Sequence, residues 1–203
     1  TTIILVTHHR DEFANADRII RLDNGRIVQS ARGNTASIPE MDESGTAQED
    51  NPIAKSNIAN GASKPTSAVP IIEIHNLIYQ YPNSSKPVLD KLSITINEGE
   101  TVAITGHNGA GKTTLARLLC ALEQPQSGSI TVNTIPVARQ RANGNMQPLK
   151  RADREKLRAT IGYVMQHPER QLFAETVAED VAYGPRNQRL DEAQVDEHVS
   201  QAM

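Results

Sequence analysis

The sequence predicts an α/β fold with antiparallel β strands beside a mostly parallel core sheet. Three observations carry that prediction. The short apolar run Thr101–Thr105 leads into a glycine-rich stretch, and leucines at helical spacing follow it. The run Ile3-Ile4-Leu5-Val6 is partly β-branched and reads as a strand buried on both faces, as in a parallel sheet. Between these, two segments alternate apolar and polar residues, the pattern of half-buried antiparallel strands.

Composition sets the outer bounds. The chain has 203 residues, 37% hydrophobic and 22% charged, with a net charge of -3. That balance suits a soluble globular protein with no bulk attraction to nucleic acid. No apolar run reaches the roughly 18 residues of a transmembrane helix, and no signal-peptide pattern is present. The single cysteine, Cys120, excludes an internal disulfide and reads as a small buried hydrophobe in a helix.

Residues 1–31 read as the C-terminal end of one domain. After the first strand, Thr7-His8 stands at its carboxyl end, where ligands bind in open α/β sheets. Arg10–Ala16 allows a short helix. Arg18–Leu22 and Arg26–Val28 then flank Asp23-Asn24-Gly25, a strong hairpin signal. His8-His9 with Asp11-Glu12 lacks zinc-ligand spacing. On the residues alone, His8 caps a strand end. The piece is too small to fold by itself.

Residues 32–70 read as a flexible linker. Ser, Thr, Asn, Gly, Pro and Ala dominate, with no aromatic residue and no apolar period. Such a segment buries too little surface to offset its ordering entropy. A partner-docking segment is the alternative reading.

Residues 71–203 read as the opening of a second domain. Ile72 and Ile74 alternate, as do Leu77, Tyr79 and Tyr81 after Asn76, and then Leu92, Ile94 and Ile96. Asn97-Glu98-Gly99-Glu100 is a turn into Thr101–Thr105. Next comes Gly106-His107-Asn108-Gly109-Ala110-Gly111-Lys112-Thr113, which fits Gly-x-x-x-x-Gly-Lys-[Ser/Thr], the phosphate-binding loop. Its glycines bring backbone N–H groups close to an anion, and the following helix adds its positive end. Lys112 would reach the β- and γ-phosphates, and the Thr113 hydroxyl would ligate Mg²⁺. With Thr114 beside them, Gly106 to Thr113 form the candidate nucleotide-binding set. Leu115, Leu118, Leu119 and Leu122 mark one helical face after the loop.

Gly128–Val132 reads as a further strand, with a turn near Thr134. The stretch from Arg139 to Arg158 is rich in Arg and Lys; a solvated loop and helix face is the default, a nucleic-acid contact the alternative. Ile161–Met165 reads as a buried strand with Gln166 at its carboxyl end. A neutral amide there can ligate Mg²⁺ or orient a water. Leu172 and Phe173 read either as exposed apolar contacts or as core. Asp191 and Gln194 have capping-box spacing before Val195 and Val199.

These motifs together resemble the ABC-transporter ATPases. Residues 1–31 are similar to the close of such a domain and residues 71–203 to its first part, so the resemblance covers nearly the whole chain apart from the linker. Gln166-His167-Pro168-Glu169-Arg170-Gln171-Leu172-Phe173, with Asp180-Val181-Ala182-Tyr183-Gly184-Pro185 and Asn187, resembles the energy-coupling-factor branch. Tyr183 stands where Phe is commoner, and a glycine is usual near Thr134.

The resemblance implies a P-loop NTPase fold of ABC type, here incomplete, and ATP with Mg²⁺ as cofactors. It makes His8 a switch histidine, Gln166 the Q-loop glutamine and Tyr81 the aromatic residue that stacks on adenine, whereas the residues alone also allow Tyr81 to pack on Pro82. It implies import of a vitamin or metal ion at the cytoplasmic face of the membrane. Partners would be a transmembrane coupling subunit on Gln166–Asn187, a substrate-binding membrane component and a second ATPase domain, head to tail. No nucleic acid is expected. The alternative is a soluble ATPase of this family acting on nucleic acid or ribosomes.

The chain holds no Leu-Ser-Gly-Gly-Gln signature and no four-apolar-then-Asp-Glu stretch. The expectation is therefore an internal fragment of a tandem protein, with His8 and Lys112 in different domains. Such a fragment would bind ATP weakly, without turnover.

Overall fold

The structure, a computed structural model, describes residues 1–7, 15–32 and 69–203. Three strands come from the first 32 residues: β1 (Ile3–Val6), β2 (Arg18–Asp23) and β3 (Arg26–Arg32). β2 and β3 form the hairpin expected from Asp-Asn-Gly. Leu22 faces Ile27 and Asp23 faces Arg26, leaving a two-residue turn. Asn24 and Gly25 both take left-handed φ, 46° and 75°, as a primed hairpin turn requires.

The alternating segments become β4 (Pro70–Tyr79) and β5 (Leu89–Asn97), paired antiparallel. The break in alternation at Asn76 is a bulge, with Asn76 at φ 47°. It turns Leu77 and Tyr79 back to the face that Ile72 and Ile74 share, and all four are buried. β6 (Thr101–Thr105) follows, then α1 (Lys112–Leu119), β7 (Ser127–Val132), β8 (Ile135–Gln140) and the short β9 (Met146–Gln147). Helices α2 (Arg151–Thr160), α3 (Val177–Asn187) and α4 (Glu192–Ala202) complete the order.

Two sheets result. The first runs β1-β6-β2-β3, with β6 parallel to both of its neighbours. The second runs β5-β4-β7-β8-β9 and is antiparallel throughout. Between them lies one core. Ile20 and Leu22 of β2, Val102 and Ile104 of β6, the leucines of α1 and the inward residues of β4, β5 and β7 share it. The opposite face of β6 carries a smaller cluster of Ala16, Ile19 and Ala103.

Three sequence expectations are corrected. β1 is not buried on both faces. It is the sheet edge, so Ile3 and Val6 remain exposed. Ile161–Met165 is not a buried strand. Its residues are half-buried or exposed and no strand pairs with them among the described residues, so their backbone has no ladder to join. Leu122 is not on the α1 face. Ala121 adopts φ 53° and ends the helix, with Leu122 N–H donating to Arg117 and Ala121 N–H to Leu118. That pair of bonds is a Schellman cap, and it turns Leu122 out to solvent.

The basic stretch divides between the β8–β9 hairpin and α2, whose polar residues face solvent while Leu157 packs into the core. α4 begins with the expected capping box: the Asp191 carboxylate accepts from Gln194 N–H, and the Gln194 amide accepts from Asp191 N–H. Residues 33–68, nearly all of the expected linker, lie outside the described residues.

Candidate functional site

β6 is the central element of the site. Its carboxyl end delivers the chain into Gly106, and α1 starts at Lys112. The loop between them needs its glycines for two separate reasons. Gly106, Gly109 and Gly111 have φ of 147°, 84° and 100°, all in a region that side chains disfavour. A Cβ on Gly106 would also sit 2.3 Å from the Leu22 carbonyl oxygen, and one on Gly111 would sit 2.7 Å from Leu89. The loop is thus pressed against β2 and against the start of β5.

Each expected binding residue can be placed. Lys112 donates from Nζ to the carbonyls of Gly106 (2.6 Å) and His107 (3.0 Å). Its ammonium therefore lies within the loop, where desolvation lowers its pKa below the ordinary lysine value. His107, Asn108 and Gly109 are exposed along the outer curve, whereas Ala110 and Gly111 are buried and offer only backbone. Thr113 is exposed on the first turn of α1, accessible to a cation. Thr114 is buried and turned away, its Oγ1 3.1 Å from the Tyr81 hydroxyl.

That bond draws Tyr81 to the site. Tyr81 lies just past β4 and keeps 37% of its surface exposed. Its ring meets Tyr79 edge to face, centroids 5.0 Å apart. Tyr79 in turn donates to Glu123 at 2.9 Å, and Arg117 donates to the other oxygen of the same carboxylate at 2.9 Å. Burial, with the bond to Glu123, pushes the Tyr79 pKa up to about 12. The bonds from Tyr79 and Arg117 hold Glu123 below its usual carboxylate value. Glu123, Arg117 and Tyr79 carry no motif of their own, so sequence reasoning missed this support.

It also missed Asp23. The residue was legible only as the start of a turn. In the structure its Oδ1 lies 2.6 Å from Nε2 of His107, and Nδ1 of His107 lies 2.7 Å from the Asn108 carbonyl. The Asn108 carbonyl first, and Asp23 second, raise the His107 pKa. The hairpin also grips the loop through its backbone, since Gly25 N–H donates to the Ala110 carbonyl.

Gln166 is exposed and has no hydrogen bond among the described residues. The turn after it, Pro168–Gln171, is held by the Gln171 side chain, which accepts from Met165 N–H and donates to the Tyr163 carbonyl. His8 lies outside the described residues. The residue before it, Thr7, is buried at the end of β1, with its N–H on the Ile104 carbonyl. Leu172 and Phe173 are 70% and 64% exposed, which rules out the core reading. Phe173 meets Tyr183 edge to face at 4.7 Å, and the Asp180 carboxylate accepts from Phe173 and Ala174 N–H.

A parallel strand that ends in such a loop, with a lysine folded onto the loop carbonyls and a threonine opening the helix, defines the P-loop class of nucleotide-binding proteins. The family model described as "ABC transporter" matches residues 89–203, and the chain belongs to that family. Over its whole length the chain is 44% identical to a putative ABC transporter ATP-binding protein of Bifidobacterium longum, of which it covers 29%. Two thirds of it (66%) is 38% identical to the energy-coupling factor transporter ATP-binding protein EcfA1 of Latilactobacillus sakei, covering 43% of that protein. Among solved structures, CbiO1 of Clostridium perfringens, part of the ABC transporter complex CbiONQ, superposes with a TM-score of 0.54 at 32% identity. That match covers 66% of this chain and 49% of CbiO1. The chain therefore spans less than half of each of these relatives.

Proposed function

We propose that this chain is part of the ATP-binding component of an ABC transporter of energy-coupling-factor type, which couples ATP binding and hydrolysis to import of a vitamin or metal ion. The observation that carries the reading is the loop between β6 and α1, with three left-handed glycines and Lys112 already seated among its carbonyls. Similarity to EcfA1 and CbiO1 supports the branch.

The residues fit Mg·ATP by their own chemistry. Lys112 would exchange its two carbonyl acceptors for the terminal phosphates, and the loop N–H groups would hold the same charge in place. Thr113 offers its hydroxyl to Mg²⁺, and Tyr81 presents a ring to the adenine. Mg²⁺, held by Thr113, would supply neutralisation of phosphate charge. Gln166 would act on the nucleotide that Lys112 holds, whereas His8, from the other domain, would serve a different one. Leu172, Phe173 and Tyr183 form the apolar surface for a transmembrane partner at the inner membrane face. Among the described residues no helix is long and apolar enough to cross a membrane, which suits a peripheral component.

The domain reading accompanies this proposal. Residues 1–31 correspond to the end of one ATPase domain and residues 71–203 to the start of another. The Bifidobacterium longum relative supports it, because one polypeptide there aligns with both pieces and the segment between them. Domains of one fold have equivalent strands, so the end of the first can pair with β6 of the second. Phosphoryl transfer depends on positioning, and this chain holds no signature motif and no catalytic glutamate motif. It would therefore bind nucleotide weakly, without turnover. The test pairs calorimetry with a phosphate-release assay on the 203-residue chain. Binding of Mg·ATP with no release of phosphate is expected. No binding would defeat the nucleotide reading, and steady turnover would defeat the reading of an incomplete site.

A further inference from the structure

The His107–Asp23 contact has a property that the loop motif does not imply. Both ring nitrogens of His107 face groups that only accept: Nε2 faces the Asp23 carboxylate at 2.6 Å and Nδ1 faces the Asn108 carbonyl at 2.7 Å. A neutral imidazole carries one N–H and one lone pair, so one of the two contacts would set a lone pair against an oxygen. Only the imidazolium donates to both. We propose that His107 is a positioning residue held as a cation by Asp23 and the Asn108 carbonyl, and that it makes nucleotide affinity depend on protonation at the mouth of the phosphate loop. The inference rests on the nucleotide-binding reading above.

The geometry explains why the charge matters there. His107 is the residue after Gly106, and its own carbonyl accepts from Lys112. Its ring bridges the loop to the β2–β3 turn, a residue 84 positions away in the chain. The pair is exposed, with 45% and 42% of the two side chains accessible, so it adds little to stability. What it adds is a second cation near the phosphates and a fixed direction for the Asn108 peptide. The charged groups that face His107 among the described residues are Asp23 from the β2–β3 turn, which favours the cation, and Lys112 from α1, which opposes it.

The sign follows. The cation attracts phosphate, so affinity is highest with His107 protonated and falls as pH rises through its raised pKa. Asp23→Asn removes the partner charge and moves that midpoint to lower pH.

The experiment uses the 203-residue chain, with nitrogen-detected NMR of the histidine rings and titration calorimetry of Mg·ATP from pH 5.5 to 8.5. Expected at neutral pH is a His107 ring with both nitrogens protonated, and a lower midpoint in Asp23→Asn. The ratio of wild-type to His107→Gln affinity cancels the titration of ATP itself. It should fall from about two- to fivefold at low pH toward one at high pH, while His107→Lys should give no such trend. A neutral ring at pH 7, a midpoint that ignores Asp23→Asn, or a ratio independent of pH overturns the proposal. Loss of all Mg·ATP binding with the ring still doubly protonated would instead strike the nucleotide reading and, with it, the linkage.

Discussion

The Tyr81 hydroxyl shares a hydrogen bond with Oγ1 of Thr114 at 3.1 Å, which ties an exposed ring to the first turn of α1. The ring therefore keeps a set position relative to Lys112 and Thr113 before any ligand arrives. Tyr81→Ala should weaken Mg·ATP by about 1–3 kcal/mol, the worth of one base–aromatic stack. Inorganic tripolyphosphate, which has no base, should bind the variant as it binds the wild type. Equal losses for both ligands in calorimetry would show that Tyr81 only supports the helix.

Lys112 donates to two loop carbonyls that a bound phosphate would replace as its partners. Lys112→Ala should lower Mg·ATP affinity by about 10- to 100-fold, the range for hydrogen bonds to a charged group. The thermal midpoint without nucleotide should not fall, because desolvation already disfavours the half-buried ammonium. A fluorescent ATP analogue reads the first effect and circular dichroism the second.

Tyr79 is held protonated by burial and by Glu123, with its pKa pushed up to about 12. An unfolded tyrosine titrates near 10. Between those values the folded state binds more protons than the unfolded state, so stability falls as pH rises from about 10 to 12. Tyr79→Phe should remove that part of the alkaline decline. Urea denaturation at pH 8, 10 and 11 gives the slope for each protein.

Thr134 and Ala121 are two of the seven described non-glycine residues in left-handed backbone, which glycine would take without strain. Thr134 has φ 66° in the β7–β8 turn, and Ala121 has φ 53° in the cap of α1. A side chain there costs on the order of 1 kcal/mol, most for a β-branched residue. Thr134→Gly and Ala121→Gly should each raise the thermal midpoint, Thr134→Gly by more. A fall in either would mean that the entropy glycine returns to the unfolded chain outweighs the relieved strain.

The glycine loop, its strand and helix, the Asn-Gly turn and the Asp191 capping box were all readable, because each is set by backbone chemistry within a few residues. The bulge at Asn76 was half readable: the broken alternation showed, but its cause did not. Errors arose where a local pattern needed a distant partner. The apolar run Ile161–Met165 looks like a strand, yet a strand exists only beside another. Leu122 has the spacing of a helix face, but the chain had already left the helix at Ala121.

By itself the sequence determined that a phosphate loop sits between a strand and a helix, since glycine at φ above zero and an N-terminal lysine are local requirements. It also determined the family, through motifs whose order along the chain is enough. Only the tertiary structure decided that β1 and β2 flank β6, that Asp23 meets His107, and that Glu123 supports Tyr79 behind Tyr81. These contacts join residues 44 to 84 positions apart or more, and their energies come from packing and charge rather than from local propensity.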